Sequence, residues 1–278
     1  MSCQHSSKFC QNFEFNRRIP IHKDRSTDPL EFQDLPQAIG AMSKSFDDGY
    51  VVRPHDHDRD QLLYATAGIM RLRTEREAWI VPPDRAVYIP AGTRHSVSMH
   101  GNVDMRTLYI DVAAVRERPD TLCVVAVSNL LRELILALSE EPVVYGSDSR
   151  GGLIARLIEL EMLRARQLSL HVPLPKDQRL QKLCARLLAD PSDNRTLIGW
   201  SEVVGASPRT LARLFESDLG MTFNLWRQRI RFQSAMEALS HGEPVSRVAE
   251  KHGYRSASAF SAAFNKVMGS PPSKIQVE

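Results

Sequence analysis

The sequence predicts an α+β multidomain protein: an N-terminal β-barrel with flanking helices, then an all-α domain with two helix-turn-helix units joined by a long helix. Three observations carry this expectation. The chain has 278 residues, more than a single hydrophobic core usually organises. Short β-prone runs punctuated by Gly, Pro, Asn and Asp fill the stretch from about Ser43 to Asp111, and apolar residues recur at helical spacing beyond it. A short helical unit near Trp200 is followed by a similar one about fifty residues later.

Composition narrows the class. Hydrophobic residues make up 42% and charged residues 25%, as in soluble globular proteins. The start "MSCQHSSKFC" has no basic segment followed by an apolar core, and no apolar run approaches the ~20 residues of a membrane span. A cytoplasmic protein with no membrane partner is expected. Cys3, Cys10, Cys123 and Cys184 are scattered without a Cys-x-x-Cys pair, so reduced thiols are expected. The net charge of +3 is unevenly placed: residues 174–278 hold 15 Lys+Arg against 10 Asp+Glu (+5), and residues 1–173 hold 21 against 23 (−2). A basic C-terminal half suits contact with a polyanion.

Taken in order, residues 1–42 read as an N-terminal arm and residues 43–112 as the barrel, through "YVVRP", "QLLYAT", "IMRLRT", "AWIVP", "AVYIP", "SVSM" and "RTLYID". Residues 113–172 read as a helical region containing "TLCVVAVSNLLRELILALSE" and "SRGGLIARLIELEMLRARQLSL". There Leu153, Leu157, Leu160 and Leu163 form one apolar stripe, which either packs on the barrel or makes the seam of a homodimer. Pro173 and Pro175 interrupt the helical pattern and open the last domain, residues 173–278.

In that domain "TLIGWSEVVGA" places Leu197, Trp200 and Val204 on one side of a short helix, with Gly205 at the turn. "SPRTLARLFESDLG" then has Ser207 as N-cap, Pro208 at the first helical position and Gly220 at the end. Leu211, Leu214 and Phe215 form its buried face, so Arg209, Ala212, Arg213 and Glu216 look outward. The repeat has Val245, Val248 and Ala249 on its first helix, Gly253 at the turn and Ser256 as cap. Phe260, Ala263, Phe264 and Val267 line its second helix. Between the units "TFNLWRQRIRFQSAMEALSHG" predicts a helix of about eighteen residues, roughly 27 Å long. Successive major grooves on one face of DNA recur about every 34 Å, so one rigid helix offers two readers to adjacent grooves.

The barrel holds the other notable chemistry. In "GYVVRPHDHDRDQLLYATAG" the odd-numbered His55, His57 and Gln61 share a face if one strand runs through them without a bulge. His95, after the Pro-Ala-Gly turn of "YIPAGTRHSVSM", is placed to bring in a third imidazole. Such a set suits iron, nickel, zinc or copper; equally, the histidines are pocket or turn residues that hydrogen-bond a small ligand or each other. The spacing Gly49, His55, His57, Gln61, Gly68 resembles the first motif of the cupin barrels, with Gln61 where that family usually has Glu. Pro90, Gly92 and His95 fit the second motif, whereas Asp84 and Met99 stand in places usually held by Gly and Asn. The resemblance implies a cupin-like sensor barrel. A divalent metal on His55, His57, Gln61 and His95 is compatible with it but not required, because the missing carboxylate lowers affinity for a cation.

From about Leu180 to Ile275 the chain resembles the DNA-binding domain of the AraC/XylS family of bacterial transcription regulators, through Leu211, Arg213 and Phe215, "WRQRIR", "VSRVAEKHGY", "SASAFSAAF" and "GSPP". Ser201 stands where the family usually has Ala, which leaves a hydroxyl to be bonded. The family's exposed recognition positions fall on Arg209, Ala212 and Arg213 in the first unit, and on Ala257, Ser258, Ser261 and Ala262 in the second. Thr210, Arg255, Ser256, Asn265 and Lys266 complete the expected DNA contacts, with Arg255, Asn265 and Lys266 suited to phosphates. The resemblance implies a regulator that binds double-stranded operator DNA, a small-molecule effector, RNA polymerase and a second copy of itself, with no catalytic residue. The alternative is a metal-dependent cupin enzyme of dioxygenase or isomerase type with an accessory DNA-binding domain, which leaves the two helix-turn-helix units unexplained. A structural DNA-binding protein without a sensor leaves the His-rich barrel mouth unexplained.

Overall fold

A computed structural model describes residues 27–83, 85–168, 171–268 and 271–275. Residues 1–26 of the arm, with Cys3 and Cys10, lie outside the described residues, as do Asp84 and the Gly269-Ser270 half of "GSPP". After a 3-10 turn at Pro29–Phe32, the strands β1 (Ile39–Phe46), β2 (Val51–His55), β3 (Asp60–Ala65), β4 (Ile69–Arg73), β5 (Glu77–Val81), β6 (Arg85–Ile89), β7 (His95–His100), β8 (Val103–Ile110) and β9 (Cys123–Ala126) follow. Helices α1 (Asn129–Glu140) and α2 (Arg150–Arg164) come next, then the two-residue strands β10 (Gln167–Leu168) and β11 (Val172–Pro173). They form two antiparallel sheets in the orders β1-β8-β3-β6-β9-β10 and β11-β5-β4-β7-β2.

The first sheet is covered on both sides, which is why β3 and β6 are buried along their whole length. Leu63, Val87, Tyr109 and Val124 face the second sheet's Met70, Leu72, Ile80 and Val97. Their alternate neighbours Leu62, Tyr64, Ala86, Tyr88, Leu108 and Val125 face Leu131, Ile135, Ile154 and Ile158 of α1 and α2. The segment read as wholly helical after residue 112 therefore begins with a strand. Cys123-Val124-Val125-Ala126 is a β-prone run buried from both faces and pairs with β6, and the helix starts only where Ser128 caps Leu131 N. The barrel strands also begin earlier than Ser43, at Ile39. Cys123 and Cys184 are free thiols, as expected; burial pushes Cys123 up to about 11.

The leucine stripe does not pack on the barrel. Gly151, Gly152, Ile154, Ala155 and Ile158 form the buried face of α2, while Leu153, Leu157, Leu160 and Leu163 are each 45–56% exposed. At Gly152 a Cβ would lie 2.2 Å from Ser147 O and 2.5 Å from Gly146 O, so the helix start is tucked against backbone that only glycine admits.

The proline-rich break is part of the sheets. β10 pairs with β9 on an edge of the first sheet, and three residues on β11 pairs with β5 on an edge of the second. Pro173 is tolerated because an edge strand needs no amide donor on its outer side. From there the chain runs into α3 (Gln178–Ala189), α4 (Leu197–Val204), α5 (Pro208–Leu219), α6 (Phe223–Ser240), α7 (Val245–Lys251) and α8 (Ala257–Met268). α4 and α5 meet at Gly205 (φ 68°), α7 and α8 at Gly253 (φ 77°). α6 has the expected eighteen residues and serves two cores. Trp226 and Ile230 join Trp200, Leu211 and Phe215; Phe232, Ala235, Met236 and Leu239 join Phe260 and Phe264 in an apolar cluster continuous with the space between the sheets.

Polar contacts tie the halves together. Trp226 Nε1 donates to Pro173 O at 2.9 Å, Arg229 to His171 O at 2.7 Å and Arg85 to Met268 O at 3.2 Å. Arg71 of β4 pairs with Glu237 of α6, and His100 Nε2 stands 3.9 Å from the same carboxylate.

The crowding at Gly152 sets a test of this packing. Gly152→Ala should lower stability by about 1–3 kcal/mol in urea unfolding. Gly146→Ala, whose Cβ meets nothing within 4 Å, should change it by less than about 0.5 kcal/mol.

Candidate ligand pocket and DNA-reading faces

The three histidines converge, but not along one strand. β2 ends at His55, a loop carries His57, and β3 starts at Asp60, so the uninterrupted strand assumed for His55, His57 and Gln61 is absent. Pairing of β2 with β7 also shifts register between Val52 and His55. The loop is held from outside. Asp58 N and Arg59 N donate to Gln33 Oε1 at 3.0 and 3.3 Å, and the Arg59 guanidinium donates to the carbonyls of Gln33 (2.8 Å), Gln37 (3.0 Å) and Leu35. Gly92 N donates to His57 O at 2.8 Å, and buried Asp60 accepts from Ala91 N at 2.7 Å and from Tyr88 OH. These bonds lock the His57 loop to the turn that carries His95.

A ring nitrogen from each of His55, His57 and His95 lies within 4.8 Å of the other two. His55 Nδ1 bonds Arg53 O and His95 Nδ1 bonds Thr93 O, both at 2.8 Å. A ring N–H given to a carbonyl leaves Nε2 as a free acceptor. His57 Nε2 and His95 Nε2 are buried without a partner. Burial, reinforced by the two neighbouring imidazoles, lowers His57 to about 3; burial lowers His95 to about 4 against the opposing bond to Thr93. Both rings are therefore neutral near pH 7, the form that accepts hydrogen bonds and ligates metals.

Gln61 is buried. On β3 it shares the inner face with Leu63, its Nε2 donates to Thr107 Oγ1 at 3.1 Å, and its Oε1 is buried without a partner. Its strand partner Tyr109 packs edge-on against His57, ring centroids 5.1 Å apart. A cavity of about 770 Å³ opens beside His95, with Arg73, Arg76 and Arg94 among its lining residues and Glu75 and Glu77 between them.

In the helical domain, Ser207 Oγ accepts from Thr210 N at 3.1 Å, and Ser256 Oγ from Ala259 N at 3.2 Å, so α5 and α8 are both capped as expected. On α5, Arg209 and Arg213 are exposed and Ala212 half-buried; the Thr210 hydroxyl faces Ser207 Oγ at 2.9 Å. Around α8, Arg255, Ser256, Ser258, Ala262, Asn265 and Lys266 are exposed, with Ala257 and Ser261 half-buried. Exposed Ala259 was not among the expected contacts, although helical spacing places it beside Ala262. The Ser201 hydroxyl finds its partner in Ile198 O at 2.6 Å.

Much of the basic charge is internal. Arg227 donates to Arg195 O at 3.0 Å, Arg231 to Pro191 O at 2.9 Å and Asp193 O at 3.1 Å, and Arg229 reaches His171 O. The three guanidiniums of "WRQRIR" thus brace α6 against the preceding loops, and burial lowers the pKa of each.

Comparison with known proteins bears on both halves. Residues 45–160 match the AraC-like ligand binding domain, and residues 200–277 match a helix-turn-helix domain. The HTH-type transcriptional regulator NimR of Escherichia coli K12 is 31% identical over 220 residues, covering 79% of this chain and 80% of NimR. The HTH-type transcriptional regulator RipA of Corynebacterium diphtheriae is 31% identical over 102 residues, 37% of this chain and 30% of RipA. Among solved structures, ToxT from Vibrio cholerae aligns with 87% of this chain and 100% of its own at 12% identity, with a TM-score of 0.36, too low for that likeness to carry weight. With a sheet-rich ligand-binding domain ahead of two capped helix-turn-helix units, and with NimR matched over most of both chains, the chain belongs to the AraC/XylS family of DNA-binding transcription regulators.

Proposed function

We propose that α5 and α8 read operator DNA, that the histidine pocket senses the effector, and that two copies act together through α2. The observation that carries this reading is the pair of capped helices, each with an exposed polar face, mounted on the single helix α6. Arg209 and Arg213 each suit a bidentate contact to a guanine edge, whereas Ala257, Ser258, Ser261 and Ala262 offer methyl contacts and single hydrogen bonds. Base discrimination therefore comes mostly from the first unit. Arg255, Asn265 and Lys266 flank the second and serve the phosphates. RNA polymerase is the partner that follows from such a regulator seated at a promoter, and a cytoplasmic location follows from the DNA target. Among the described residues no helix is long and apolar enough to cross a membrane.

His55, His57 and His95 fit a borderline divalent cation through their ring nitrogens, with Gln61 Oε1, buried without a partner, as the further donor, and iron, nickel, zinc or copper would find a neutral donor set there. Without a carboxylate the set favours an organic effector or a weakly held metal, with no turnover. A cupin enzyme would leave α3 to α8 without a role, and the matched relatives are named as regulators.

Three measurements test these assignments. If the histidines hold a metal, elemental analysis of protein prepared without a histidine tag should find it and should lose it in His57→Ala; metal-free protein with an intact ligand response would remove the ion from the reading and leave the organic effector. Sedimentation should find a dimer that Leu157→Glu converts to monomer, and an unchanged dimer would move the contact away from α2. In binding selection on randomised operators, Arg213→Ala should cost about 1–3 kcal/mol and relax the preference at one or two base pairs. Lys266→Ala should weaken all sequences alike and reduce the salt slope by about one unit.

A further inference from the structure

Glu216 is an acidic residue on a face otherwise suited to a polyanion. At 3.6 residues per turn, Arg209, Ala212, Arg213 and Glu216 fall within an arc of roughly 100° on α5, with Glu216 near its middle. Leu211, Phe215 and Leu219 occupy the buried side. Glu216 is exposed, and among the described residues no basic group lies within ion-pairing distance of it. Arg227, which lines a groove together with Ala212 and Glu216, is held elsewhere: it donates to Arg195 O at 3.0 Å and to Asn224 Oδ1 at 3.4 Å, and stacks 4.8 Å from the Phe223 ring centroid.

A carboxylate on this face has few favourable partners. It accepts hydrogen bonds only, so phosphates repel it, as do the major-groove acceptors of guanine and thymine. The donors in that groove are cytosine N4 and adenine N6, and adenine N6 sits beside the acceptor N7, which suits an amide better than a carboxylate. Left unmatched, the charge opposes binding to every sequence. We propose that Glu216 is a specificity-determining residue that accepts a hydrogen bond from cytosine N4. This rests on α5 being the reading helix of the first unit. Along α5, Glu216 is about 4.5 Å beyond Arg213 and about 10.5 Å beyond Arg209 at 1.5 Å per residue. With base pairs about 3.4 Å apart, the cytosine lies about one step past the guanine read by Arg213.

The test is selection from a random DNA library with the full-length protein and with Glu216→Gln, Glu216→Ala and Arg213→Ala, at two salt concentrations. The wild type should select cytosine on one strand next to the position that Arg213→Ala relaxes. Glu216→Gln should exchange that C·G pair for A·T, because an amide matches adenine N6 and N7, and Glu216→Ala should lose about 5- to 150-fold of discrimination there alone. Glu216 variants that keep the wild-type motif and bind every sequence more tightly would overturn the proposal and leave Glu216 a repelling charge. In that event a motif altered by Arg213→Ala would uphold α5 as the reading helix, and a motif unchanged by all three variants would remove that reading as well.

Discussion

The two faces of α6 constrain everything C-terminal to the barrel. The helix gives Trp226 and Ile230 to the core beneath α5, and Phe232, Met236 and Leu239 to the core beneath α8. Neither unit can rotate about the other without breaking a buried aromatic cluster, in which Phe232 meets Phe260 and Phe264 at 5.9 and 5.2 Å between ring centroids. The spacing of α5 and α8 is thus set by packing on one helix whose eighteen residues span roughly 27 Å.

Attachment to the barrel uses the same helix. Trp226 and Arg229 near its start hold the carbonyls of Pro173 and His171, beside the strand β11. Glu237 near its end meets Arg71 and His100. His100 closes β7, and His95, one of the three converging imidazoles, opens it. The pocket and the second helix-turn-helix unit are therefore connected through one six-residue strand that is hydrogen-bonded on both sides, to β2 and to β4. A strand so held places the histidine cluster and the Glu237 end of α6 on one rigidly paired element.

What was legible in the sequence was local chemistry. Ser207, Pro208 and Gly220 mark the ends of α5 because capping and left-handed backbone depend on the residues themselves, and the length of α6 follows from its periodicity. Features decided at long range were less visible. Cys123 to Ala126 is too short to separate strand from helix, and its pairing with Arg85 to Tyr88 decides the matter. The stripe of Leu153 to Leu163 has correct helical spacing, yet the small Gly151, Gly152 and Ala155 make the closer face against the barrel. Parity suggested that His55 and His57 point the same way on one strand. They converge instead because Gln33 and Asp60 pin the loop between β2 and β3, over separations of 25 to 31 residues that no spacing rule reports.

The net charge also reads differently once the side chains are placed. The excess of +5 in the C-terminal half suggested a surface for a polyanion, but Arg227, Arg229 and Arg231 bond carbonyls, and Arg179, Arg195 and Lys251 pair with Asp177, Asp193 and Glu243. Exposed pairs of this kind add little stability and leave little field for DNA. The cations that remain free to act on α5 and α8 are few: Arg209, Arg213 and Lys266 on the helices and Arg255 before α8. Lys182, Arg186 and Arg247 are exposed elsewhere in the same domain, so phosphate contacts need not be confined to these two helices, whereas discrimination between sequences requires hydrogen bonds to base edges. Under the proposed reading of α5, the unpaired Glu216 carboxylate in the middle of its face has to meet a donor, and its position then contributes to specificity.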